Sequence, residues 1–240
     1  MIMSRITDDD YEKLRIFLNN YSLKQNLSYT DYSEKLKQVH KKLYAFMVYI
    51  AEIEKIDEFK TTFDQNSRCY LREVLSDFIQ ALFCWCNGVY KSGLLSLRSS
   101  IEVFCKVIIG INQKDVYVEK SVYEIFNMAK TDKYLSMDKN KKYYYSIHDD
   151  YKKLCEYVHS ASDINLDNLG CVGLLPSYRS DKSEQFIDIF IRVICSIIAI
   201  MMLSFDSLNK SISSSNMQII KDALSNEMKK EIFSLPFLNA

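Results

Sequence analysis

The chain has 240 residues, of which only 5 are Gly and 2 are Pro. That scarcity of chain-breakers speaks against multi-stranded β folds, which need many tight turns, and against Gly-rich phosphate loops of nucleotide-binding α/β folds. Its 31 basic and 31 acidic residues give a formal charge of +0, so no global field draws nucleic acid, and any such contact must come from a local patch.

Asp8 to Asn20 reads as a short helix, with Asp8 to Asp10 suited to its N-terminus. Asn26 to Thr30 is a polar break. Thr30 or Asp31 can cap a long helix running to about Lys60, because Leu36, Val39, Leu43, Phe46, Ile50 and Ile53 recur in steps of three and four. A polar gap at Thr61 to Ser67 suggests a boundary, giving an N-terminal helical arm over 1–66.

Two antiparallel helices follow, from Ser67 to Val89 and from Lys91 to Ile111, joined tightly around Gly88 to Gly93. Val116 to Val118 reads as a brief extended piece. Ser121 to Lys130 is a short helix. Asn140 to Ala161 is a helix rich in Tyr and Lys. Ser162 to Lys182, with Gly170, Gly173 and Pro176, is the longest irregular segment. Ser183 to Asn209 is the most apolar helix. Its uncharged part, Val193 to Phe205, is too short to span a bilayer, so it reads as a core or interface helix and no membrane span is expected. A serine run breaks the pattern at Ser211, and Asn216 to Phe233 is a final amphipathic helix. The expected fold class is all-α, a bundle of seven to nine helices with long antiparallel core helices, divided as 1–66, 67–210 and 211–240.

The 7 Cys are irregularly spaced and fall mostly in apolar helical patterns, as expected of buried reduced thiols in a cytoplasmic protein. Met1 to Asp10 has no apolar signal core, which agrees with that location. No standard phosphate-loop, dinucleotide, nucleophile-elbow or zinc-protease motif is present, and no metal site or cofactor is expected.

One constellation has chemical content. Arg98 and Glu102 are one helical turn apart on one face, with apolar neighbours. In the Tyr151 to His159 run, Tyr151, Cys155 and Val158 share a face with Leu154, while Lys152, Glu156 and His159 make a second stripe. His159 falls near a helix end, where the dipole favours the imidazolium. These residues admit two readings. A buried Arg–Glu pair anchoring a His from a neighbouring helix would fix register without catalysing anything. Alternatively, His159 is a general acid/base beside a cation that stabilises a phosphorane. His40 and His148 read as exposed helix residues, and Asp149 with Asp150 as a solvating pair.

The runs Gly88 to Glu102 and Tyr151 to His159 resemble the HEPN superfamily of all-helical proteins, over about Ser67 to Ile200. The resemblance implies a helical bundle, often a homodimer, in a prokaryotic phage-defence or toxin–antitoxin system. Its active members are metal-independent endoribonucleases with an Arg, four to six residues and then a His, meeting across a dimer. No Arg lies at that distance before His159; Lys153 and Lys152 do, and Arg98 on the adjacent helix is the alternative cation. The implied catalytic set is His159 as acid/base, Lys153 or Arg98 on phosphate, and Glu102 orienting the site. Lys142, Lys152, Tyr151 and Tyr157 supply cations and rings of the kind that suits single-stranded RNA, though the same composition describes an ordinary amphipathic helix. The alternative is a non-catalytic interaction module, whose apolar C-terminal helices mediate homodimerisation or binding of a partner protein from the same operon.

Overall fold

The computed structural model describes residues 5–159 and 169–233. Every regular element among them is helical. In chain order these are α1 (Arg5–Asn19), α2 (Lys24–Ser28), α3 (Thr30–Ile53), α4 (Asp57–Thr62), α5 (Gln65–Cys86), α6 (Tyr90–Ile109), α7 (Val122–Thr131), α8 (Asp138–Val158), α9 (Ser180–Ser204), α10 (Asp206–Asn209), α11 (Ser214–Ala223) and α12 (Asn226–Phe233). The described residues therefore hold more helical segments than the seven to nine expected, because α2, α4 and α10 are only one or two turns long.

The differences have local causes. The polar break at Asn26 to Thr30 is partly helical, since the buried Asn26 side chain donates to the Cys86 carbonyl and holds α2 against the end of α5. The long helix expected to reach Lys60 ends at Ile53, and the chain re-enters a helix at Asp57 after an extended Ile56. The final helix is split at Leu224, whose backbone is extended. Lys114–Tyr117 is a 3-10 turn, where the sequence suggested extended chain. The helix expected over Asn140 to Ala161 ends at Val158, with His159 as its cap. Residues 160–168, which include most of the expected irregular segment before Gly170, lie outside the described residues, as do the Val158 side chain and Pro236.

α5 and α6 form the most extensively packed pair of helices among the described residues. Gly88, at φ +74°, makes its turn, and a Cβ there would lie 2.2 Å from the Ser177 carbonyl oxygen. A Cβ on Gly93 would lie 2.8 Å from the Phe186 ring and 3.2 Å from the Ala81 carbonyl, so its hydrogen lets α5, α6 and α9 meet closely. α9 is the core helix, with Phe186, Phe190, Ile194, Ile197 and Met201 fully buried. It is long and apolar enough to cross a membrane by composition, yet 83% of its apolar window is buried by the rest of the chain. That burial makes it the core helix of the described residues.

One core runs through all three predicted segments. Tyr32, Phe46 and Tyr49 of α3 and Ile220 of α11 belong to the same cluster as Phe78, Trp85 and Phe190. Tyr32 stacks on Trp85 with ring centres 4.7 Å apart, and the Trp85 indole N–H donates to the Ser183 hydroxyl at 2.9 Å. Cys105 and Cys195 are buried as expected, but Cys69 and Cys171 are exposed.

Candidate functional site

α6 carries Arg98 and Glu102 on the side turned toward α8. Their ion pair spans 3.1 Å, and both side chains remain about one-fifth to one-quarter exposed, at 21% and 24%. The Arg98 Nε and Nη2 also donate to the Tyr151 hydroxyl at 3.3 and 3.1 Å. The guanidinium carbon lies 5.4 Å from the Tyr151 ring centre. Tyr151 is buried, its ring 4.6 Å from that of Phe126, so α7, α8 and α6 together fix the guanidinium. Burial opposes the charge of Arg98, but the Tyr151 and Glu102 contacts prevail and hold its pKa above the usual value. Burial raises the Tyr151 phenol, against the pull of Arg98.

His159 is exposed at the end of α8, its backbone N–H donating to the Cys155 carbonyl at 3.0 Å. It is eight residues beyond Tyr151, about 12 Å along the helix axis. Within one chain, then, the structure joins Arg98, Glu102 and Tyr151 but leaves His159 apart from them. Lys153 is exposed and stands roughly 200° around α8 from Tyr151.

The expected RNA-binding residues do not share one surface. Lys152 is exposed and paired with Asp149 at 3.1 Å. Tyr157 is half-buried and its hydroxyl accepts from Gln185. Lys142, about 180° around α8 from Tyr151, pairs with Glu231 and with Glu227 at 3.8 Å. Among the neighbouring rings, Tyr143 and Tyr144 are buried in the core, and Tyr145 is exposed. Tyrosines that anchor a helix to its neighbours cannot stack on bases without unfolding it.

Four acids buried among the described residues, Glu52, Asp77, Asp132 and Asp150, escaped the sequence reading, and two of them bear on the helices of the site. Asp150, expected at the surface, is 2% exposed and accepts three hydrogen bonds from Arg192 of α9, Nη2 to Oδ1 at 2.7 Å, Nε to Oδ2 at 3.1 Å and Nε to Oδ1 at 3.3 Å. Asp77 of α5 is 6% exposed, and its Oδ2 has no hydrogen-bond partner among the described residues. Burial pushes its carboxyl up to about 6; Ser99 opposes the shift, and the charges of Glu73 and Glu102 add to it. Both acids carry a sequence signal: Asp77 lies three after Val74 and four before Ala81, and Asp150 three after Ile147 and four before Leu154, so each occupies a core register. His148, expected exposed, is half-buried with its ring 4.7 Å from Phe126. Burial, then the nearby Lys152, lowers its pKa. His40 is exposed and stacks near Tyr44.

In comparisons with protein-family models, curated proteins and solved structures, nothing matches this chain.

Proposed function

We propose that this chain is a HEPN-like RNA-binding protein of a prokaryotic phage-defence or toxin–antitoxin system, which engages a phosphate of single-stranded RNA through Arg98. The observation behind this reading is a pre-positioned guanidinium. Arg98 is held by Glu102 and the Tyr151 hydroxyl, while its Nη1 has no hydrogen-bond partner among the described residues and one-fifth of the side chain stays open to solvent. Holding the planar fork in place beforehand reduces the entropy lost when a phosphate binds. Glu102 offsets the charge, so the interaction is a local, geometric one, in keeping with a neutral chain.

Binding is favoured over cleavage, because His159, the expected acid/base group, stands two turns of α8 beyond the Tyr151 that meets Arg98. A metal-independent endoribonuclease would need a second copy to bring His159 to that place. Fluorescence anisotropy with a labelled single-stranded RNA in EDTA tests the binding, and gel analysis of the same mixture tests cleavage. Arg98→Ala is expected to weaken binding by about tenfold or more, the value of a charge-assisted hydrogen bond. Unchanged affinity would refute the reading. Cleavage by the wild type that His159→Ala abolishes would restore the catalytic version.

A second reading, self-association without RNA, has its own observation. Ile79 and Phe83 are one turn apart on α5, at 44% and 69% exposure. A homodimer through that face would dissociate on Phe83→Glu, as read by sedimentation.

A further inference from the structure

No side chain of α1 from Asp9 to Asn19 is buried. Tyr11, Leu14 and Leu18 form one stripe, at steps of three and four, and all three are exposed. Between α1 and residues 171–173 a cavity of about 420 Å³ stays open. A helix of 15 residues is marginal in water without a packed apolar face. α1 is therefore an arm whose apolar face its own chain leaves uncovered.

The body has a second open apolar face. α3 and α5 run antiparallel: Tyr32 stacks on Trp85, the Phe46 and Phe78 rings are 5.7 Å apart, and Arg72 meets Glu54 at 2.7 Å. That exposed ion pair marks the outer side of the two helices. Met47 and Leu36 lie about two and five turns before Glu54, on its side of α3. Ile79 and Phe83 lie about two and three turns after Arg72, on its side of α5. The result is a groove floored by half-buried Leu36, Leu75 and Leu82 and walled by exposed Met47, Ile79 and Phe83.

The groove has a basic edge. Lys37 and Lys41 follow one another along α3 ahead of exposed Tyr44, and neither makes an ion pair among the described residues. The α5 edge beside Phe83 is neutral, with Gln80 donating to the Ser76 hydroxyl.

Arm and groove match in size and charge. The stripe from Tyr11 to Leu18 is about 10 Å long, and the groove from Lys37 to Met47 about 15 Å. α1 opens on Asp8, Asp9 and Asp10, and its Arg15 is already paired with Glu12. The base of the arm also stands at the end of the groove, because Tyr21 donates to Asn87, one turn beyond Phe83. From there α1 runs toward residues 171–173 and not along its own groove. A two-fold axis near Asn87 would let two copies exchange arms in a closed pair.

We propose that the chain is a dimer in which α1 of each copy lies in the α3–α5 groove of the other. Its stripe covers Met47, Ile79 and Phe83, and its acidic turn faces Lys37 and Lys41. This rests on the self-association reading and replaces contact between two α5 faces by an exchange of arms.

Sedimentation velocity of the full chain without RNA, over a range of concentrations, tests the proposal. The wild type is expected to dimerise. An arm variant, Leu14→Glu with Leu18→Glu, and a groove variant, Phe83→Glu, should each be monomeric with unchanged helical circular dichroism, since all three residues are exposed. Mixing the two variants should form a weaker heterodimer, because the intact arm of one meets the intact groove of the other. Lys37→Glu with Lys41→Glu should weaken the dimer by about tenfold, and adding Asp9→Lys with Asp10→Lys should restore it. Arg98→Ala should leave the dimer unchanged, so this proposal and the RNA reading fail separately. A wild type that stays monomeric, or a mixture that never associates, would overturn the proposal. A dimer that survives in the arm variant but not in Phe83→Glu would also overturn it, and would leave the α5 self-association reading standing.

Discussion

Arg192→Ala is the substitution for which the structure gives the clearest stability consequence. Asp150 is 2% exposed, whereas the Arg192 side chain is 43% exposed, so the two ends of this α8–α9 pair differ sharply in their access to water. Removing Arg192 strands a buried carboxylate that loses its three guanidinium contacts, at 2.7, 3.1 and 3.3 Å. Breaking a buried pair from one side costs about 3–5 kcal/mol, and the solvent-open arginine end argues for the lower figure, about 3 kcal/mol. For a domain of this size that lowers the melting temperature by roughly 6–12 °C. Asp150→Asn should cost less, about 1–2 kcal/mol, because the amide oxygen still accepts one hydrogen bond and Arg192 can turn outward into water. The double change Asp150→Leu with Arg192→Met should recover most of the loss, since it leaves no buried charge behind. Circular dichroism melts and urea titrations of the three variants at neutral pH give the ranking. If Asp150→Asn is as damaging as Arg192→Ala, or if Arg192→Ala costs under about 1 kcal/mol, the account based on unequal burial is refuted.

Asp77 carries a pH prediction. Its folded carboxyl, pushed up to about 6, lies above the unfolded value of about 3.9, so the folded chain binds the extra proton and this residue's contribution to stability falls as pH rises between those values. Asp77→Asn should stabilise by about 2 kcal/mol at pH 7.5 and by almost nothing at pH 4, as read from urea midpoints; equal gains at both would show that charge is not the cause. Gly88→Ala combines a φ of +74° with a Cβ 2.2 Å from the Ser177 oxygen, and should cost more than about 2 kcal/mol by the same assay. Trp85→Phe keeps the stack on Tyr32 but removes the donor to the buried Ser183 hydroxyl, and thermal melting should report a loss of about 1–3 kcal/mol.

The helical hairpin could be read from the sequence because Gly88 and Gly93 punctuate a run whose apolar residues recur with a 3.6-residue period. The Arg98–Glu102 pair could be read for the same reason: four residues is one turn, and a turn brings side chains together locally. What it could not supply was the third member. Tyr151 is 53 residues away from Arg98, and only the packing of α8 on α6 delivers its hydroxyl to the guanidinium. Placing His159 with Arg98 failed for a matching reason. The motif spacing is a distance along the chain, but the meeting point with α6 lies two turns earlier on α8, at Tyr151. The tyrosine-rich stretch misled because composition does not say which way a ring points, and Tyr143 and Tyr144 face inward.

The sequence by itself determined that the chain is helical and where most long helices begin and end, since propensity, capping and periodicity act within a few residues. Tertiary structure decided which charges are buried and which cations are paired with carboxylates. Those properties depend on helices far apart in sequence, and on the loss of water between them. Asp150 and Arg192 illustrate it: unremarkable as letters 42 positions apart, they become an ion pair only when α8 packs against α9.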